Sequence, residues 1–135
     1  MKPLLLDTHV LVWGMTDSPS MGGKTRRLID EALRRRAAWV SAISFWEVAL
    51  LVFRDQLEID GTLGQWRAGV LATGIQEWVL TGEAAIRGAE VLPYHGDPSD
   101  RLIVGTAIMA DATLVTGDGV LLGWNGRLAR QDARR

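Results

Sequence analysis

The chain contains no cysteine. A disulfide framework and a zinc–thiolate site are therefore both excluded, and a reducing, cytoplasmic setting is the expectation. It also lacks an excess of positive charge. Lys and Arg number 15 against 16 Asp and Glu, for a net charge of −1, and the pI is near 6.1. Proteins that coat nucleic acid are usually far more basic. Any contact with nucleic acid must then be local. The one basic segment, "KTRRLIDEALRRR" (24–36), reads as a solvated helix face whose final arginines complement the helix dipole. Long uncharged apolar runs are missing too. The opening "MKPLLLDTHVLVWGM" carries Asp7 and His9 inside its apolar stretch. That argues against a signal-peptide core and a membrane span. Internal repeats, linkers and low-complexity stretches are absent.

What is present suits one compact domain over residues 1–135, with a tail that frays from about residue 127. The apolar fraction is 47% and the charged fraction 23%, enough for a real core. "PLLLD" reads as a buried strand, followed by one or two helical turns in "THVLVWGM". "TDSPSMGG" (16–23) is a loop by its Ser, Pro and Gly content. The spacing of Leu28, Ile29, Ala32 and Leu33 predicts a helix over 24–37. Strands are expected at 38–42, 75–80 and 112–118, and helices at 44–56, 62–74, 81–92 and 98–112. The helix at 44–56 is apolar on nearly all sides and should be buried. Pro98 sits at a first helical position. In the tail a short helix and an edge strand are both open readings. Strands alternating with helices predict a three-layer α/β/α sandwich with a mostly parallel central sheet.

The acids fall at matched places in that pattern. Asp7 ends the first strand and Asp118 follows the last apolar strand. Asp97 and Asp100 open the helix after Pro98, and Glu47 lies just inside the helix that follows the second strand. In a parallel sheet the carboxyl ends of the strands share an edge, where ligands bind. Acids distant in sequence are thus expected to meet. Each also reads as a helix cap. Ser44-Phe45-Trp46-Glu47 has the form of a capping box, and Asp97-Pro98-Ser99-Asp100 suits N-cap, N1 and N3 positions. Asp97 is the best candidate for a pure cap. Four or five acidic caps on one edge, however, crowd like charges. Two unit charges at ~4 Å repel by ~4 kcal/mol at an effective dielectric near ~20. A divalent cation would cancel that, and oxygen-only ligands suit Mg²⁺ or Mn²⁺. The chemistry expected of such a site is metal-assisted phosphodiester hydrolysis.

Thr116, two residues before Asp118, offers a hydroxyl to the same edge. His9 reads as a packing or hydrogen-bonding residue behind the site, and His95 as a loop residue. The six tryptophans would allow stacking on single-stranded nucleic acid. Core packing or an oligomer interface explains them more simply, with Trp13 and Trp66 the interface candidates.

Four blocks in order, "LLLDTHVLVW" (4–13), "VSAISFWEVALL" (40–51), "HGDPSDRLIVGTA" (95–107) and "LVTGD" (114–118), resemble the PIN-domain ribonucleases and, within them, the VapC-type toxins of toxin–antitoxin modules. Residues 54–94 match only in spacing and helical character. The resemblance implies an α/β/α fold and an acidic pocket for Mg²⁺ or Mn²⁺. It places the catalytic and metal-binding acids on Asp7, Glu47, Asp100 and Asp118, with Asp97 auxiliary. It further implies homodimers, cleavage of structured RNA such as tRNA or ribosomal RNA, and a cognate antitoxin that blocks the site. Gly119 stands where many relatives carry a larger or charged residue.

Two other classes compete. A catalytically silent scaffold would keep the acids as caps and bind a protein or RNA. A Mg²⁺-dependent phosphatase would want a second acid two residues after Asp7, where His9 stands. A phospho-acceptor receiver would want a lysine after a late strand, where Gly117 and Asp118 stand. The scaffold predicts that Asp7→Asn destabilises the protein, whereas under the metal-site reading neutralising that acid should relieve repulsion in the metal-free protein.

Overall fold

The computed structural model describes residues 1–91 and 97–135. The element order is β1 (Leu4–Leu6), α1 (Thr8–Met15), α2 (Gly23–Arg34), β2 (Ala38–Ser41), α3 (Ala42–Phe53), α4 (Leu63–Ala72), β3 (Gln76–Trp78), α5 (Gly82–Glu90), α6 (Pro98–Met109), β4 (Thr113–Thr116), α7 (Gly119–Gly123) and β5 (Arg130–Asp132). The five strands form one sheet in the order β3-β2-β1-β4-β5. Every pairing is parallel, with Leu6 opposite both Val40 and Val115. The expected three-layer sandwich is present.

The strands alternate their side chains between two apolar layers, as a sheet covered on both faces requires. Leu4, Leu6, Val40 and Val115 pack with Val10, Leu11, Ile29 and Val70 from α1, α2 and α4. Leu5 and Leu114 pack with Ile103, Val104, Ala107 and Leu121 from α6 and α7. Helix α5 lies against α6 through Gly88 and Gly105. A Cβ on Gly88 would stand 2.4 Å from the Arg101 carbonyl oxygen, and one on Gly105 would stand 2.2 Å from that of Ala84. Glycine at both positions lets the two backbones meet.

Three expectations need correction. The first concerns α3. It is apolar almost throughout, but only Ser44 and Val48 are fully buried, while Trp46 is 54% and Phe53 73% exposed. Among the described residues, none covers the outer side of the helix at Trp46 and Phe53. The second is the tail, which does not fray. Residues 130–132 pair with β4, Ala133 is buried, and the Gly22 and Thr25 amides donate to the Ala133 and Arg135 carbonyls at 2.9 Å each. The third concerns Trp13 and Trp66, which pack within the chain against the α1–α2–α4 layer. Trp39 and Trp78 stack face to face at 4.5 Å on neighbouring strands, as core packing implies. Among the described residues no helix is long and apolar enough to cross a membrane.

Candidate active site

Chain order places the site. From β1 the sheet grows one way through β2 and β3, and then resumes on the other side of β1 with β4. Adjacent strands whose connections diverge leave a crevice at their carboxyl ends. Asp7 leaves β1 there, and Thr116–Asp118 leaves β4 beside it. The Asp7 amide donates to the Val115 carbonyl at 2.9 Å, which extends the strand pairing to the lip of the crevice.

Asp7 is only 3% exposed. It caps α1, with Oδ1 accepting the Thr8 amide at 2.9 Å. Its other oxygen accepts the Thr116 hydroxyl at 2.8 Å. Thr116 Oγ1 in turn accepts the Asp118 amide at 3.1 Å. One hydroxyl thus ties the Asp7 carboxylate, 109 positions away, to the backbone of Asp118. Asp118 caps α7 through the Val120 amide at 2.8 Å. Asp97 caps α6 and accepts from the Ser99 amide and hydroxyl at 3.4 and 3.2 Å.

Glu47 is no part of a capping box. The N-cap of α3 is Ser41, whose hydroxyl oxygen accepts from the Ile43 amide. Ser44 is the third residue of α3, in its first turn, and is buried. Its Oγ stands 2.9 Å from the Thr8 hydroxyl, which donates to Glu47 Oε1 at 2.6 Å. Burial is the main cause that raises the Glu47 pKa, with Asp7 and Asp97 adding to it, while hydrogen bonds from Thr8 and Ser99 oppose the rise.

Asp100 registers the whole cluster. Its pKa is pushed up from 3.8 to about 7, first by burial and then by the charges of Asp7, Glu47, Asp97 and Asp118. Four of the acids singled out in the sequence therefore act on the fifth, Asp100, and Asp7 and Asp97 act on Glu47 as well. Among the described residues, no group of three or more His, Cys, Asp or Glu side chains already stands close enough together to hold a metal ion. Mutual repulsion of the carboxylates acts in that direction.

His9 takes the supporting place expected of it. Its Nε2 accepts the Gly117 amide at 2.7 Å, and Nδ1 lies 3.7 Å from Asp7 Oδ2. His95 lies outside the described residues. Thr8, Ser44 and Ser99 were not legible as site residues. Nothing local marks a hydroxyl as facing an acid 39 positions away.

A PIN domain family model matches residues 4–122. Ribonuclease VapC22 of Mycobacterium tuberculosis is 32% identical over 120 residues, which span 87% of this chain and 88% of that protein. The chain belongs to the PIN-domain family, in its VapC branch. Solved structures carry the same fold at lower identity. VapBC2 from Rickettsia felis, bound to a promoter DNA fragment, gives a TM-score of 0.69 at 17% identity, over 95% of this chain and 96% of that one. FitAB bound to an IR36 DNA fragment gives 0.65 at 20%, over 98% and 96%. A toxin–antitoxin complex from Klebsiella pneumoniae gives 0.55 at 20%, over 85% and 86%. In this PIN domain the crevice beside β1 and β4 is the place where the acids gather.

Proposed function

We propose that this PIN domain is a Mg²⁺-dependent endoribonuclease, with Mn²⁺ an alternative ion, and that it serves as the toxin of a type II toxin–antitoxin module. The supporting observation is the gathering of Asp7, Glu47, Asp97 and Asp118 around Asp100, where burial first and then their charges raise the Asp100 pKa to about 7. Helix capping accounts for Asp7, Asp97 and Asp118. It does not account for Glu47 or Asp100. A scaffold with no ligand would have little reason to keep two further half-buried carboxylates among three acidic caps.

The donor set fits the ion. It consists of carboxylate and hydroxyl oxygens, which suit hard divalent cations. Asp7, Glu47, Asp100 and Asp118 would hold it. Bound there, it would stabilise charge on the phosphate and acidify water. Asp7 is pre-oriented, because donors from Thr8 and Thr116 occupy one lone pair on each oxygen and leave others toward the crevice. Glu47, hydrogen-bonded at Oε1 by Thr8, would be a ligand or orient the attacking water, as would Asp118. Thr116 sets the spacing between Asp7 and Asp118. Asp97 serves as the cap that starts α6 and presents Asp100.

Structured RNA, tRNA or ribosomal RNA, is the substrate implied by membership of the VapC branch. VapC22 is itself named a ribonuclease. An antitoxin partner is supported by the neighbours that are toxin–antitoxin complexes. A homodimer would cover the stripe Ile43, Trp46, Leu50 and Phe53 on α3, whose 3-4-3 spacing forms one apolar seam.

The test is cleavage of mixed tRNA and ribosomal RNA by the purified chain with Mg²⁺, Mn²⁺ or EDTA, beside Asp7→Asn. The expected result is a discrete product that needs metal and is absent with the variant. A folded Asp7→Asn protein that still cuts would refute the assignment.

A further inference from the structure

We propose that Arg134, together with His9 and Trp13, forms a clamp on the Gly117 peptide groups, and that Arg134 is a positioning residue for Asp118. The inference rests on the nuclease reading of the site.

Gly117 is buried between Thr116 and Asp118. Buried peptide groups need partners, and here side chains from two distant segments supply them. The amide donates to His9 Nε2 at 2.7 Å. The carbonyl accepts from the Arg134 guanidinium. Trp13 joins the two sides. Its ring meets the His9 ring edge-on at 5.1 Å, and the Arg134 guanidinium lies 5.4 Å from its centroid. A Cβ on Gly117 would stand 2.8 Å from Arg134 Nη1 and 2.9 Å from Trp13 Cη2, so the clamp closes on glycine.

Holding both the N–H and the C=O of one residue fixes its two backbone dihedrals. Those dihedrals set where Asp118 lies relative to Thr116, and Thr116 is the hydroxyl bound to Asp7. The clamp thus defines the separation of two acids of the site without touching substrate. Arg134 is well delivered. β5 pairs with β4, the Ala133 amide donates to the Thr116 carbonyl at 2.9 Å, and the Arg134 amide donates to Asp132 Oδ1 at 3.0 Å. The family model ends at residue 122, so Arg134 comes from a segment outside the matched region.

The test uses the full chain carrying Arg134→Ala, His9→Phe or His9→Gln. His9→Phe keeps a ring edge on Trp13 but removes the acceptor. His9→Gln restores an acceptor at the reach of Nε2. The first readout is hydrogen exchange of the Gly117 amide by NMR, without metal. Exchange should quicken by about tenfold in His9→Phe, the equivalent of one lost hydrogen bond of that amide, should quicken less in Arg134→Ala, which frees only the carbonyl side of Gly117, and should stay near wild type in His9→Gln. The second is the Mg²⁺ concentration giving half-maximal RNA cleavage. It should rise about 10–100-fold in the first two variants, as for lost outer-sphere partners of a metal site, and recover in His9→Gln. Unchanged exchange and unchanged Mg²⁺ dependence in Arg134→Ala would overturn the clamp. So would a lower melting temperature with the Mg²⁺ midpoint unmoved, since that is a merely structural role. If the wild-type chain cleaves nothing, the nuclease reading fails, and the exchange result alone decides the clamp.

Discussion

Replacing Asp100 by asparagine should stabilise the metal-free protein, by an amount that grows from about pH 4 and is complete above about pH 7. In the fold the Asp100 carboxyl holds its proton up to a pH of about 7, because burial and four neighbouring carboxylates oppose its charge. In the unfolded chain it ionises near 3.8. Between those values the folded state binds more protons, so stability falls as pH rises, and the penalty is complete above pH 7. At about 1.4 kcal/mol per pKa unit the full shift would correspond to about 4 kcal/mol. Asp100 is only half-buried, and solvent screening reduces this to about 2 kcal/mol. A charge in the first turn of α6 gains about 0.5 kcal/mol from the helix dipole, too little to reverse the sign. Asparagine keeps the shape of the protonated acid and never carries the charge. Asp100→Asn should therefore melt about 6 °C higher than wild type at pH 8, at roughly 4 °C per kcal/mol for a chain of this length, and no higher at pH 4. Mg²⁺ should narrow the difference by stabilising wild type more, since binding to the folded state alone adds RT ln(1 + [L]/Kd). Scanning calorimetry at the two pH values, with EDTA and with Mg²⁺, measures all of this. Equal melting temperatures at pH 8, or the same gain at both pH values, would refute the reasoning.

Asp7→Asn, by contrast, should destabilise the metal-free protein, against the relief of repulsion expected from the sequence, because Asp7 is held by hydrogen bonds at both oxygens. Both Asp7 oxygens accept donors in a buried position, and an amide nitrogen would face one of them, at about 1–3 kcal/mol; urea denaturation reads the sign. Gly88→Ala should cost about 1–3 kcal/mol, because its Cβ would meet backbone atoms of Arg101 at 2.4 and 2.9 Å. Gly69→Ala, which meets nothing within 4 Å in α4, should gain about 0.5–1 kcal/mol in the same denaturation series. Under the proposed homodimer, Phe53→Glu should shift the protein to monomer in sedimentation equilibrium with little change in the monomer's fold, since Phe53 is 73% exposed.

The site was legible as a list of acids, because strand ends and helix starts leave local marks: an apolar run before Asp7, a proline after Asp97, a β-branched run before Asp118. The caps were less legible. Ser44 and Glu47 have capping-box spacing, but β2 ends at Ser41 and hands the N-cap to that residue. Where a strand stops depends on its neighbours in the sheet, which a four-residue motif cannot contain. Helix α3 misled in another way. Apolarity on all sides signals that something will cover the helix. It does not say that the cover belongs to the same chain.

By itself the sequence determined the alternation of strand and helix, the parallel sheet, the membership of the family, and which carboxylates stand at element ends. The family is carried by four blocks that resemble its members, and the rest follows from periodicity and local punctuation. Only the tertiary structure decided that the Thr116 hydroxyl joins Asp7 to Asp118, that Thr8 holds Glu47, and that the last residues return to grip Gly117. Each of these joins side chains far apart in the chain. A parallel sheet brings them together because its strands end on one edge, and the residue met there is set by the strand order rather than by anything nearby in sequence.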